Sequence, residues 1–323
     1  MKEKCLKFTR EATMDITKTL KLLNIVSSTN EFSANGWSYE VAEKYLFDID
    51  GKLLEAGFYT HYSNLEMNSI VKRVIELPTS YGCPMKCSYC ASSCILDIQP
   101  LTTETLLLVT EYILSMKTLP NNKELLVTLT GTGDTYYTFN LIYEYISSIS
   151  QKYKNLCFTI SSCNWTNEIL KKVESMSKIY KLRNIQYTFV SNNNEKLKRI
   201  IPGLNHINYN ISDFVSYVET SSLRNWRINY LIIQSVNDDD NNFNDFIKIM
   251  QPIKNKIIVR ISSLNETIAS SNAGLKPASL KRSEVFQQTL ALNGIYSYLF
   301  FSEQKDNISC GQLILEKKLT ELH

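Results

Sequence analysis

Long apolar runs are missing from this sequence, and so is a signal-peptide core: Met1-Lys2-Glu3-Lys4-Cys5 leads into charged and polar residues. A bilayer-spanning helix needs about 20 apolar residues, so no span is expected and the chain reads as cytoplasmic. An excess of charge of one sign is missing too. Lys and Arg number 35 against 32 Asp and Glu, a net +3 over 323 residues. That balance is not the footprint of a protein that grips nucleic acid by electrostatics alone, and no Lys/Arg-rich patch with interleaved aromatics stands out. Most of the 19 tyrosines are expected to be half-buried amphipaths rather than stacking platforms. No internal repeat or low-complexity segment occurs, and no linker interrupts the chain after residue 71.

A disulfide framework is excluded by the distribution of the eight cysteines. Four crowd residues 83–94, and the others are scattered at Cys5, Cys157, Cys163 and Cys310. Cys157 lies in an apolar strand-like run, the setting of a small buried hydrophobe. A structural zinc site usually draws on two separated ligand pairs. No second Cys-x2-Cys or His pair accompanies the first, although Cys94 could supply a fourth ligand.

What is present is the stretch Ser80-Tyr81-Gly82-Cys83-Pro84-Met85-Lys86-Cys87-Ser88-Tyr89-Cys90. Three thiols spaced Cys-x3-Cys-x2-Cys on one loop can take three corners of an iron–sulfur cube and leave the fourth iron open to a small chelating molecule.

The rest of the chain supplies a scaffold for such a loop. Ile16 to Ile25 has the apolar spacing of a helix, and Ser27 to Gly36 is a polar, turn-rich link. Tyr45–Ile49 and Leu53–Tyr59 flank Asp50-Gly51, the signature of a hairpin expected to pack beside the main domain. Apolar β-rich runs then lie near 71–77, 124–130, 155–161, 184–190, 227–234, 256–263 and 295–301. Helical patterns occupy 102–116, 139–152, 165–178, 211–222, 241–252 and 279–293. This alternation predicts an α/β fold of parallel strands with right-handed crossovers, a partial (β/α)6-type barrel with a small N-terminal appendage. The expected division is 1–66 for the appendage, 67–302 for the barrel and 303–323 for a C-terminal segment. Ligand residues in such barrels gather at the C-terminal strand ends. The cysteine loop follows the first barrel strand, and Gly131-Thr132-Gly133-Asp134 follows the second. Its glycines allow close backbone approach and its carboxylate can accept from an ammonium group, though an ordinary Gly-rich turn has the same composition.

Cys83-x3-Cys87-x2-Cys90, with Tyr89 before the last cysteine, resembles the signature of the radical S-adenosylmethionine (SAM) enzymes. Gly131-Thr132-Gly133-Asp134 resembles the Gly-Met-Gly-Glu loop of their RlmN/Cfr-type RNA methyltransferases. Ser161-Ser162, Arg199-Ile200-Ile201-Pro202, Val236-Asn237-Asp238, Ser263-Leu264-Asn265 and Cys310-Gly311-Gln312-Leu313 follow in that subfamily's order, over roughly residues 44–318. The resemblance implies a [4Fe–4S] cluster on Cys83, Cys87 and Cys90. It implies SAM contacts from Tyr89, Gly131, Gly133, Asp134, Ser161, Ser162 and Asn265, and a methyl-carrier role for Cys310. It further implies that SAM chelates the open iron, that its cleavage yields a 5'-deoxyadenosyl radical, and that an external donor of flavodoxin or ferredoxin type supplies electrons.

The departures narrow the expectation. The subfamily carries a second catalytic cysteine seven residues before the first cluster ligand, and here that residue is Glu76, which could act as a base, while Cys94 or Cys163 could substitute in space. Only about seventy residues precede the first barrel strand, where the RNA enzymes carry a longer N-terminal domain. The expected function is therefore radical C-methylation or methylene transfer, on a small molecule rather than structured RNA. The alternatives are direct hydrogen abstraction from a small molecule without methyl transfer, and a non-catalytic metal-binding protein on the same scaffold.

Overall fold

The computed structural model describes residues 19–31, 39–63, 66–67, 69–117, 124–207, 210–300 and 311–320. Among the described residues ten strands form one sheet in strictly sequential order. They are β1 (Leu20–Glu31), β2 (Tyr39–Ile49), β3 (Lys52–Tyr62), β4 (Ile70–Glu76), β5 (Leu125–Leu129), β6 (Leu156–Ser162), β7 (Leu182–Phe189), β8 (Trp226–Ile232), β9 (Ile257–Ser263) and β10 (Ser297–Phe300). The pairs from β1 to β4 are antiparallel and those from β4 to β10 are parallel.

Helices cover one side: α1 (Thr103–Ser115), α2 (Thr135–Lys152), α3 (Asn167–Ser177), α4 (Asn194–Ile200), α5 (Ile211–Thr220), α6 (Asp240–Met250), α7 (Ile268–Asn272) and α8 (Leu280–Leu292), while α9 (Gln312–Thr320) comes last. Each of α1 to α8 starts where a Thr, Asn, Asp or Ser side chain accepts from a first-turn amide. These caps satisfy donors that helix geometry leaves over and so set the starts locally. The core lies between helices and sheet, where Ile75, Val127, Ile160, Ile228 and Ile261 meet Leu106, Ile142, Leu170 and Phe286. The α/β partial barrel expected from the alternation is what forms, because each crossover buries one apolar helix stripe on the sheet.

The front end differs from its expectation. Residues 20–31, assigned above partly to a helix and partly to a link, form β1, which pairs with β2 from Leu20↔Ile49 to Glu31↔Tyr39. A short apolar run reads as either element, and a long partner strand decides it by supplying cross-strand hydrogen bonds and packing. The hairpin forms around Asp50-Gly51, both at positive φ. It is bonded into the barrel sheet through β3 and β4, from Gly57↔Glu76 onward. Among the described residues no helix is long and apolar enough to cross a membrane.

Candidate active site

Residues 77–100 leave β4 and fold back over the strand ends, held from three sides. The Thr79 and Ser80 amides donate to the Thr132 carbonyl (2.7 and 3.2 Å), and the Gly131 amide donates to Leu77 O (3.1 Å). A Cβ on Gly133, whose φ is +118°, would stand 2.2 Å from Thr79 Oγ1. The glycines read above as ligand-approach points are thus required for chain-on-chain packing as well. On the second side, the Ser88 amide donates to Ile200 O (2.8 Å) and the Gly203 amide to Met85 O (2.9 Å). This makes the Arg199–Pro202 segment a buttress of the cysteine loop. On the third, Thr267 Oγ1 in the loop after β9 donates to Tyr89 O at 3.2 Å.

Inside this frame the charge of Cys87 bears on the Cys83, Cys90 and Cys163 thiols and on the Tyr89 hydroxyl, and that of Asp134 bears on Cys83 and Cys163. Burial, and after it the Cys87 charge, push Cys90 up to about 11, and the same two causes push Cys83 well above the usual thiol range. Three thiolates can stand together here only with a cationic centre to hold them, which an iron–sulfur core is. Among the described residues no three His, Cys, Asp or Glu side chains are placed to hold a single metal ion. A cubane asks one thiolate of each of three irons, so its ligands need not meet at a point, whereas zinc ligands must. The donor set fits the cluster. Cys94 sits one short turn beyond, its Sγ 4.0 Å from Ser93 Oγ.

Asp134 is placed more tightly than the sequence suggests. It is 7 % exposed. Its Oδ1 accepts from the Tyr136 amide (2.8 Å) and Ser162 Oγ (2.6 Å), and its Oδ2 accepts from the Cys163 amide (3.1 Å) and thiol (3.4 Å). Burial raises its pKa and these bonds oppose the rise. The carboxylate caps α2 and ties it to the end of β6. Ser161, one residue from Ser162, turns to the other side and accepts from Gln186 Nε2 (2.9 Å). Asn265 is half-buried in the loop that reaches Tyr89, and its carbonyl accepts from Ser270 Oγ (3.4 Å). Asn237 is a staple instead: fully buried, its Nδ2 donates to Val190 O and Leu231 O, both at 2.8 Å, joining the ends of β7 and β8.

Cys310 lies outside the described residues. Its neighbour Gly311, at φ +85°, is seated so closely that a Cβ would stand 2.6 Å from the Ser92 amide. The Gly311 amide donates to Glu55 Oε1 and the Ile314 amide to Glu55 Oε2 (3.4 Å), while Leu313 and Ile314 pack on Leu46 and Ile95. Glu55 was missed by sequence reasoning, although a carboxylate inside Leu53-Leu54-Glu55-Ala56 is a signal of a buried polar task. Glu76 is committed as well. The register sets Lys44, Gly57 and Glu76 in a row across three strands, and Lys44 Nζ lies 2.5 Å from Glu76 Oε2. Tyr59 OH donates to the same oxygen at 2.8 Å.

No protein-family model matches the chain. A probable dual-specificity RNA methyltransferase RlmN of Pseudothermotoga lettingae is 25% identical over 299 residues, spanning 88% of this chain and 79% of its own. A second, of Caldicellulosiruptor saccharolyticus, is 26% identical over 282 residues, spanning 84% and 75%. The chain resembles RlmN. A solved radical SAM methyltransferase from Sphaerobacter thermophilus superposes with a TM-score of 0.68 at 18% identity, covering 91% of this chain and 80% of that one. At that identity the likeness shows a shared fold. Two features of the site stand beside that resemblance: Glu76 is locked to Lys44, and the Cys163 thiol lies close to those of the loop.

Proposed function

We propose that this RlmN-like enzyme holds a [4Fe–4S] cluster on Cys83, Cys87 and Cys90, binds SAM beside it, and transfers a methyl or methylene group to an unactivated carbon with Cys310 as carrier. The observation that carries the reading is the seating of Gly311, the residue that follows Cys310 in sequence, on Ser92, two residues past Cys90. When bound, the cluster and SAM supply a carbon-centred radical, with electrons from an external donor of flavodoxin or ferredoxin type. The chain's part is to position and to exclude water. Tyr89, Gly131, Gly133, Ser161, Ser162 and Asn265 form the wall for SAM, and Asp134 fixes that wall through its four donors. Glu55 keeps the carrier segment docked through the Gly311 and Ile314 amides. The balanced charge of the chain supports a small molecule over structured RNA as substrate.

A second reading is favoured by Glu76. Where RlmN-type enzymes carry a second catalytic cysteine, this carboxylate is bonded to Lys44 and Tyr59, which supports direct hydrogen abstraction from a small molecule without methyl transfer. Reduced, cluster-loaded protein incubated with SAM tests both. Methyl transfer predicts 5'-deoxyadenosine, S-adenosylhomocysteine and a one-methyl mass increment on the peptide containing Cys310. Turnover that yields 5'-deoxyadenosine alone, with Cys310 unmodified, selects the second reading. A colourless, zinc-containing protein that cleaves no SAM sinks both.

A further inference from the structure

We propose that the inner face of the barrel carries an anion-binding floor built from Lys72, Arg227 and Arg260, and that the substrate is a compact molecule bearing a phosphate group. The inference deepens the small-substrate reading above and does not depend on methyl transfer. The side of β4–β10 turned away from the helices is polar. Asn184 Nδ2 donates to Thr159 Oγ1 (3.1 Å), Gln186 Nε2 to Ser161 Oγ (2.9 Å) and Ser262 Oγ to Asn229 Oδ1 (2.6 Å). Arg227 shares this face in register with Gln186, and Arg260 in register with Asn229 and Tyr298. Lys72 lies on the same side of β4 as Glu76, two positions from Val74.

The three cations share this inner face, and the charges of Arg227 and Arg260 reach Lys72. Arg227 Nη1 donates to Tyr298 OH at 3.4 Å, and the Arg260 guanidinium lies 3.5 Å from the centre of the Phe300 ring. Those contacts orient the two guanidinium planes and cancel no charge. Nε of each arginine is buried with no hydrogen-bond partner, and none of the three cations makes an ion pair among the described residues. Of the two carboxylates whose charge reaches Arg260, Glu76 is paired with Lys44 at 2.5 Å, while Glu40, 3.2 Å from the uncharged His61 ring, offsets only part of the positive charge. Burial, and after it Arg227, Arg183 and Arg260, push Lys72 down to about 8. Half-buried cations held against their own repulsion are stabilised by an anion bound among them.

Depth and number choose the anion. Lys72 stands four residues before the end of β4, Arg227 five before the end of β8 and Arg260 three before the end of β9. At about 3.3 Å per residue the floor lies roughly 10–17 Å below the mouth. A polynucleotide carries its phosphates along its backbone at the mouth, so cations at this depth serve a small molecule whose reacting carbon faces SAM. A single carboxylate is satisfied by one guanidinium fork, whereas a phosphate takes donors from several directions.

The test is calorimetric titration of the full-length, cluster-loaded protein with inorganic phosphate under anaerobic conditions. Saturable binding is expected, weakened at least tenfold in Arg227→Gln/Arg260→Gln and in Lys72→Met, with cluster absorbance and SAM affinity unchanged. If the double variant does not fold, Arg260→Lys, which keeps charge but loses the fork, is expected to weaken phosphate severalfold. Absence of saturable binding, or equal affinity in the variants, overturns the proposal. Acetate binding as tightly as phosphate overturns the choice of phosphate, and an RNA oligonucleotide whose binding depends on both arginines overturns the choice of a small substrate. Arginine-dependent phosphate binding in a protein that fails to cleave SAM upholds the floor and refutes the cluster reading instead.

Discussion

Asp134→Ala separates two jobs that one carboxylate could do. If its task is to bind the ammonium group of SAM, the substitution weakens SAM and leaves the fold alone. The geometry assigns it mainly to the fold. Loss of the cap on α2 costs about 0.5–2 kcal/mol. The Cys163 amide, buried and bonded to Oδ2, loses its acceptor at a further cost of about 1–3 kcal/mol. Ser162 Oγ keeps a second acceptor in the Asn164 carbonyl at 2.6 Å and adds little. The sum is about 1.5–5 kcal/mol, a large fraction of the roughly 5–15 kcal/mol that holds a domain together. Urea denaturation of the reduced, full-length protein is expected to show this loss, with Asp134→Asn milder because the amide oxygen still accepts one of the donors. SAM affinity of the cluster-loaded variant is expected to fall only as far as the wall is disturbed. Unchanged stability with a tenfold loss of SAM affinity refutes the reasoning, because it requires a carboxylate free of its four protein donors.

Three further outcomes follow from other buried contacts. Lys44→Met strands Glu76 in the interior and is expected to cost about 3–5 kcal/mol, most of it recovered in Lys44→Met/Glu76→Met; denaturation midpoints of the full cycle measure this, and equal losses in both variants would contradict it. Gly311→Ala drives a Cβ to 2.6 Å from the Ser92 amide at a positive φ, so α9 is expected to undock and trypsin to remove the C-terminus faster than in the parent protein. Burial, then Lys72, hold the His61 pKa down at about 3, below its ordinary 6.5. His61 therefore favours folding fully above pH 6.5 and loses that contribution as pH falls toward 3, by up to about 1.4 kcal/mol per pH unit. His61→Gln is expected to flatten the acid limb of a stability-versus-pH curve in that window, and an unchanged slope counts against the burial of this ring.

The cysteine spacing, the alternation from Val71 onward, the Asp50-Gly51 turn and the capping residues are local signals, and they determined the parallel sheet, its helices and the position of the cysteine loop. Such signals are legible because a helix start, a hairpin turn or a three-thiol loop is decided by residues within a few positions of one another. Residues 20–31 were ambiguous by the same measure, and only their pairing with β2 made them a strand. Tertiary structure also decided what the polar residues are for. Asp134 closes on Ser162 and Cys163, twenty-eight and twenty-nine positions away. Thr267 reaches the carbonyl of Tyr89 across 178 positions, and Glu55 holds Gly311 across 256. Arg227 and Arg260 read as ordinary charges within strand-like runs until the barrel turns them inward. A carboxylate or guanidinium takes its role from the burial and the partners that distant strands impose, and no local pattern carries that information.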